Sequence, residues 1–362
     1  VCFYGFFPSR PKKKKNPAYI HAVCSELEMR KEYLGGETIE TIYWGGGTPS
    51  QLDKEDFETI FYYLHKNYSI SSHPEITLEA NPDDLTPDYI AMLRTLPFNR
   101  LSMGIQTFNE SILKVLQRRH TARQAIEAFQ NCRAAGFQNI SIDLMYGLPG
   151  ETLSTWQQDL DQALLLHPEH LSAYHLIYEE DTVLWKLREQ HKVEEADEDL
   201  SVSLFSTLID RLTSEGYDHY EISNFSLPGL YSRHNSSYWT EKKYLGCGPS
   251  AHSYNGVSRQ WNVASLDTYI KGISAGTPVF EIEELDLYTR YNDFVITRIR
   301  TEWGMPLSKL RDEFGEKLYD YCLRMAAPHL KQGTLELVND ILKLTRKGIF
   351  ISDGIMSDML WT

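Results

Sequence analysis

Residues 38–50 read Thr38-Ile39-Glu40-Thr41-Ile42-Tyr43-Trp44-Gly45-Gly46-Gly47-Thr48-Pro49-Ser50. A β-branched and aromatic run over Thr38–Trp44 halts at three glycines. A helical pattern follows over Leu52–Asn67, with Phe57, Ile60, Phe61 and Leu64 at i, i+3, i+4 and i+7. Strand, glycine turn and amphipathic helix make half of a βαβ unit, so a parallel sheet is the first expectation.

The unit recurs. Strands are expected at Glu75–Glu79, Arg100–Gln106, Asn139–Met145 and His170–Ile177. Helices fall between them over Pro87–Leu96, Glu110–Gln117, Ala122–Ala135 and Trp156–Leu166. Pro87 suits a first helical turn and Gly136 a helix end. One strand is expected before Cys2, which gives about six βα units rather than eight. The fold class is therefore α/β: a partial (β/α)6 TIM-like barrel over 1–225, open on one side.

After residue 178 the rhythm changes. Ser201–Glu215 reads as a helix and His219–Ile222 as a short last strand. Ser223–Asn262 reads as a loop region rich in Gly, Ser and Tyr, treated as a connecting segment over 226–265. Residues 266–362 form a mainly helical, winged-helix-like domain with a small ribbon at Thr334–Leu344. The one charge block, Lys12–Lys15, reads as a solvated loop.

Composition narrows the function classes. The chain has 362 residues, 36 basic and 50 acidic, for a net charge of −14. That balance argues against wrapping nucleic acid, which needs a surplus of Lys and Arg. No apolar run approaches the roughly 18 residues of a membrane span. Five scattered cysteines (Cys2, Cys24, Cys132, Cys247, Cys322) make no disulfide framework and fit a reducing cytoplasm. The opening Val1-Cys2-Phe3-Tyr4-Gly5-Phe6-Phe7 has no charged-then-apolar leader. It starts within a strand-like run, so further chain is expected before Val1.

Polar groups gather at the carboxyl ends of the strands, where α/β sheets place their sites. Gly45-Gly46-Gly47 lets backbone approach a ligand, or is only a tight turn. Glu79, before Asn81-Pro82, could hold a ribose hydroxyl or an ammonium, or cap a helix. Asp143 interrupts an apolar strand, which is costly without a partner. Arg118 offers a planar fork to a ligand carboxylate.

Larger blocks carry a resemblance: Tyr43-Trp44-Gly45-Gly46-Gly47-Thr48-Pro49-Ser50, Leu78-Glu79-Ala80-Asn81-Pro82, Ser102-Met103-Gly104-Ile105-Gln106, Ile142-Asp143-Leu144-Met145-Tyr146-Gly147-Leu148-Pro149-Gly150, Tyr220-Glu221-Ile222-Ser223-Asn224-Phe225, His234-Asn235-Ser236-Ser237-Tyr238-Trp239 and Ser352-Asp353-Gly354-Ile355-Met356-Ser357-Asp358. In these the chain resembles radical S-adenosylmethionine (SAM) proteins of the oxygen-independent coproporphyrinogen III oxidase group, and within it the haem-chaperone branch. The resemblance covers nearly the whole chain.

It implies a radical SAM barrel that holds a 4Fe–4S cluster and SAM. A CxxxCxxC loop ligates three irons, and the fourth takes the amino and carboxylate groups of SAM. Aligned on Tyr4, Cys2 is the second cysteine, the expected metal ligand. The first would precede Val1, and the third would stand between Tyr4 and Gly5, restoring Cys-Phe-Tyr-Cys-Gly-Phe-Phe. As written, the chain cannot hold the cluster on three thiolates. Cys24, Cys132, Cys247 and Cys322 match no motif position. If the Tyr4–Gly5 junction is real, a degenerate barrel without a cluster follows. By resemblance Gly46, Gly47 and Thr48 contact the methionine end of SAM, Glu79, Gln106, Arg118 and Asp143 line the rest of its pocket, and Tyr4 packs beside the cluster.

Two functions remain open. A haem carrier would bind haem and pass it to an unidentified acceptor protein, with an electron donor serving the cluster. An oxidase would decarboxylate coproporphyrinogen through a 5′-deoxyadenosyl radical. The oxidases carry a further Cys where Phe6 aligns and lack HNxxYW, so the carrier is favoured and decarboxylation is not expected. His234 is the candidate haem ligand, with Asn235, Tyr238 and Trp239 as haem contacts. His252 and Cys247 are alternatives, and a polar loop covering the barrel is the bland reading.

Overall fold

The computed structural model describes residues 2–4 and 16 as backbone, and residues 17–180 and 182–362 in full. Lys12–Lys15, and Gly5 beyond Tyr4, lie outside the described residues.

Strands and helices alternate as the glycine-punctuated pattern requires. β1 (Cys2–Tyr4) is followed by α1 (Asn16–Met29), β2 (Ile39–Gly45), α2 (Lys54–Asn67), β3 (Ile70–Ala80), α3 (Pro87–Leu93) and β4 (Arg100–Gln106). Then come α4 (Glu110–Val115), α5 (Ala122–Ala134), β5 (Ile140–Tyr146), α6 (Leu153–Leu165) and β6 (His170–His175). The six strands pair parallel in chain order, β1 to β6. Side-chain caps start the helices: Asp53 with Asp56 for α2, Thr121 with Gln124 for α5, Thr152 with Thr155 for α6.

The strand expected before Cys2 includes Cys2 itself. Cys2 pairs with Tyr43 and Tyr4 with Gly45, so β1 ends at the same sheet edge as β2. Beyond β6, after α7 (Val183–Glu189) and α8 (Glu198–Ser214), β7 (Asp218–Glu221) and β8 (Asn224–Ser226) add antiparallel strands.

Alternation along the strands sorts the two faces. Ile42 and Trp44, Ile76 and Leu78, Leu101, Met103 and Ile105, Ile142 and Leu144, and Leu171 all point into one apolar core with the helices. Trp44 packs against Phe57, Phe61 and Phe98 there, with ring centroids 5.0–6.0 Å apart. The alternate residues, among them Tyr43, Glu79, Arg100, Ser102, Asp143 and Ser172, line the concave face. The barrel therefore has an apolar jacket and a polar bore.

Ser223–Asn262 is not a loop. It contains β8, α9 (Arg233–Trp239), β9 (Gly246–Cys247), β10 (His252–Tyr254) and β11 (Ser258–Asn262). β9 pairs parallel with β1, while β10 and β11 form an antiparallel sheet with β12 (Phe280–Glu284). These strands have two to five residues and take their pairing from distant partners, so no local period announces them. α9 is capped by Ser232, whose Oγ accepts the Asn235 N–H.

α10 (Leu266–Ser274) packs on α1. α11 (Leu287–Ile299), β13 (Met305–Pro306) and α12 (Leu307–Gln332, broken at Gly315) lead to the ribbon β14 (Leu335–Val338) and β15 (Ile341–Leu344), then α13 (Arg346–Ile349) and α14 (Ser352–Met359). Asn339 and Asp340, both at positive φ, make the two-residue turn of the ribbon. Tyr291, Phe294, Leu310, Leu342 and Met359 anchor this second core. Glu221, 1% exposed, binds Arg300 of the linking turn at 2.6–2.7 Å and ties the two cores together.

Candidate functional site

A cavity of about 300 Å³ opens in the bore. Of the residues expected around SAM, Gly47, Thr48, Glu79, Gln106, Arg118 and Asp143 line it. Gly46 serves from behind: at φ 72° it turns its N–H onto Glu79 Oε2, 3.1 Å away. Glu79 Oε1 accepts the Tyr43 hydroxyl at 2.6 Å. Gly45 is opposite, and a Cβ there would stand 2.5 Å from Glu79 Oε1 and from the Tyr43 ring. The first glycine of the triplet thus makes room for the carboxylate, and the second binds it. Burial raises the Glu79 carboxyl to about 7 even against these two donors.

Asp143 stands on β5 beside Ser102, whose Oγ lies 3.2 and 3.3 Å from its two oxygens. Burial raises it to about 6, and the Arg100 charge pulls the other way. Arg118 donates through Nη2 to Asn81 Oδ1 (2.7 Å) and to the Gly104 carbonyl (3.0 Å). The β4–β5 register shifts between Gly104 and Gln106, and Gln106 takes φ 70°, which re-aims its side chain into the cavity. A Cβ on Gly104 would lie 2.9 Å from the Gln106 Nε2.

Arg100 was missed by the sequence reading. It is 2% exposed, lines the same cavity, and its Nε has no hydrogen-bond partner. Its signal was phase: Arg100 opens a strand whose inward positions run Arg100, Ser102, Gly104, Gln106. Glu151 was also missed. Its Oε2 accepts the Gly147 and Leu148 N–H groups at 2.7 and 3.2 Å, and burial lifts its carboxyl to about 7. It holds the turn that ends β5.

The four residues expected to share haem are divided. His234 is 3% exposed; its Nδ1 meets Thr41 Oγ1 at 2.8 Å and its Nε2 meets the Tyr238 hydroxyl at 3.0 Å. Neither ring nitrogen is open to iron in this arrangement, and burial holds the imidazole well below its usual range, hence neutral. Its ring stacks on Tyr43, centroids 4.7 Å apart. Asn235 lines the barrel cavity, whereas Tyr238 and Trp239 line a second cavity of about 830 Å³ between α9, the β10–β11 pair and α11–α12.

The fit to the expected cofactors differs. Two buried carboxylates, a glycine turn and Arg118 suit SAM, which carries a sulfonium, an ammonium and a carboxylate. The four thiols among the described residues do not suit a cluster. Cys24, Cys132, Cys247 and Cys322 are all buried. Burial pushes Cys24 and Cys132 to about 12 and Cys322 to about 11, away from the thiolate a metal needs. Among the described residues no three His, Cys, Asp or Glu side chains are grouped for a metal. Cys2 and Tyr4 are described as β1 backbone at the edge facing the glycine turn; their side chains lie outside the described residues.

Known proteins agree with this geometry. The radical SAM superfamily profile matches residues 2–163, and that of the HemN C-terminal domain matches residues 285–351. The haem chaperone HemW of Lactococcus lactis is 34% identical over 99% of this chain and 94% of its own length. That of Mycobacterium tuberculosis is 32% identical over 94% and 86%. The solved coproporphyrinogen III oxidase HemN of Escherichia coli superposes with a TM-score of 0.85 at 22% identity, covering 99% of this chain and 88% of that one. Superfamily membership implies a 4Fe–4S cluster and SAM. The chain belongs to the HemW-like family of radical SAM proteins.

Proposed function

We propose that this protein is a cytoplasmic haem carrier that binds SAM in the barrel cavity and haem beside α9, and releases haem to an acceptor protein. The observation that carries the reading is the HNxxYW helix, whose Tyr238 and Trp239 wall a cavity of about 830 Å³, well within the roughly 300–1,000 Å³ of ligand sites. Relatives named haem chaperones over nearly the full length support it. No helix of the described residues is long and apolar enough to cross a membrane.

Each residue has a task. Glu79 and Asp143, when ionised, offset the positive charges of SAM; the Gly46–Thr48 turn admits its amino-acid end; Arg118 and Gln106 orient polar groups. The tyrosines and Trp239 supply flat apolar faces for a porphyrin. SAM, when bound, supplies a cleavable sulfonium. Carriage of haem moves no electron and so does not depend on that chemistry.

The test is direct. Ferric haem is titrated into the protein and the complex mixed with an apo-haem protein. Saturable binding followed by transfer supports the carrier. Absence of binding removes it, and efficient conversion of coproporphyrinogen to protoporphyrinogen by the iron- and sulfide-reconstituted protein restores the oxidase.

A further inference from the structure

The second cavity holds a histidine of a different kind from His234. His252, on β10, is exposed to this cavity, and among the described residues neither of its ring nitrogens has a hydrogen-bond partner. Its ring is backed by Trp261, with centroids 6.2 Å apart and planes 30° from parallel. Burial, then the neighbouring Arg259, holds its pKa below the ordinary value, so the imidazole is neutral with a lone pair to give.

The walls suit a flat, apolar ligand with acidic ends. Tyr238 and Tyr244 meet edge to face at 4.8 Å, Tyr254 lies tilted behind Tyr244 at 6.1 Å, and Phe314 closes the side formed by the C-terminal helices. Three cations reach the cavity, and two are committed. Arg259 pairs with Glu283 and Asp293 at 3.3 and 3.4 Å, and Lys309 with Glu241 at 2.6 Å. Among the described residues Arg290 has no carboxylate within ion-pair distance; its guanidinium lies 5.9 Å from the Phe314 ring centre. The cavity's acids are largely neutralised. Glu241 is shared by Lys309 and Arg298, Glu313 also meets Lys309 at 3.5 Å, Asp293 is bound by Arg259, and burial raises the Asp293 carboxyl.

We propose that this cavity is the haem seat, with His252 as the iron ligand and Arg290 as the partner of a propionate carboxylate. The inference rests on the haem-carrier reading and refines it: the motif residues Tyr238 and Trp239 build the wall, and His234 fixes Tyr238 rather than binding iron. The bond formed is a dative one from a neutral imidazole nitrogen to ferric iron, a solvent ligand leaves, and no electron is transferred. The barrel cavity, with about 300 Å³ against about 830 Å³, is left to the nucleoside.

The experiment titrates ferric haem and, separately, iron-free protoporphyrin into the full chain and into H252A, R290Q and H234A, following the Soret band. The expected result is that H252A weakens haem about tenfold or more and loses the imidazole-ligated spectrum, while its protoporphyrin affinity stays at the unaltered level. R290Q is expected to weaken both ligands. H234A is expected to keep an imidazole-ligated haem spectrum. Unaltered haem affinity and spectrum in H252A overturn the assignment, as does loss of the imidazole spectrum in H234A alone, and both leave the carrier reading standing. If the full chain binds neither ligand, the carrier reading fails and this seat with it.

Discussion

The rings of Tyr43 and His234 lie 4.7 Å apart and within 16° of parallel, so the glycine-turn strand and the motif helix are in contact through their aromatic faces. Tyr43 also donates to Glu79, and His234 meets Tyr238, which makes a continuous file from the barrel cavity to the second cavity.

Tyr43→Phe keeps the stacked ring and removes the donor to Glu79. Hydrogen bonds to charged groups are worth about 1.5–3 kcal/mol, so SAM affinity at neutral pH is expected to fall roughly tenfold or more. Calorimetry on the variant checks this; undiminished affinity means that Glu79 does not meet the ligand as a carboxylate.

The raised carboxyls give a pH dependence of definite sign. Glu79 and Glu151 at about 7 and Asp143 at about 6 hold protons in the folded state that the unfolded chain, near 4, has released. The stability they contribute is full below pH 4 and is lost as pH rises through 6 to 7. In the free protein each costs up to about 1.4 kcal/mol per pH unit across that window. Denaturant melts at pH 5 and pH 8 are expected to show these groups favouring the lower pH, with a shallower dependence in Glu79→Gln. An equal slope in that variant contradicts the assignment. SAM, a cation, is expected to bind more tightly as pH rises over the same interval.

Gly45→Ala brings a methyl group to 2.5 Å from Glu79 Oε1 and the Tyr43 ring. Overpacking of this kind costs about 1–3 kcal/mol. Both the melting midpoint and SAM binding are expected to fall, whereas Gly216→Ala, where a Cβ meets open space, is expected to affect stability without touching SAM.

Arg300→Met leaves Glu221 buried without its cation. Breaking such a pair costs about 3–5 kcal/mol, and Glu221→Gln in the same chain is expected to recover part of it. Chemical denaturation of the single and double variants measures the coupling.

Glycine punctuation and periodicity made the parallel core legible: β4 was read with its true ends and β2, β5, β6 and β7 within two residues of theirs, while β3 starts at Ile70, five residues before the expected Glu75. Glu79, Gln106 and Asp143 stood out at strand ends and Gly47, Thr48 and Arg118 in the segments that follow them, and all six line one cavity. What stayed hidden depends on distant partners. β9 has two residues and exists because β1 lies beside it; β12 is exposed along its length and carries no core signal. Arg100 looked like an ordinary strand-opening residue, although its phase with Ser102, Gly104 and Gln106 already set it on the concave face. The HNxxYW residues looked like one site because they are adjacent in sequence, but a helix turns neighbours to different sides.

α9 is seven residues long, and it is a party wall. Asn235 belongs to the room on one side, Tyr238 and Trp239 to the room on the other. The two rooms share this one partition. If the proposed nucleoside and porphyrin occupy these two rooms, whatever effect one has on the affinity of the other must be returned in equal measure.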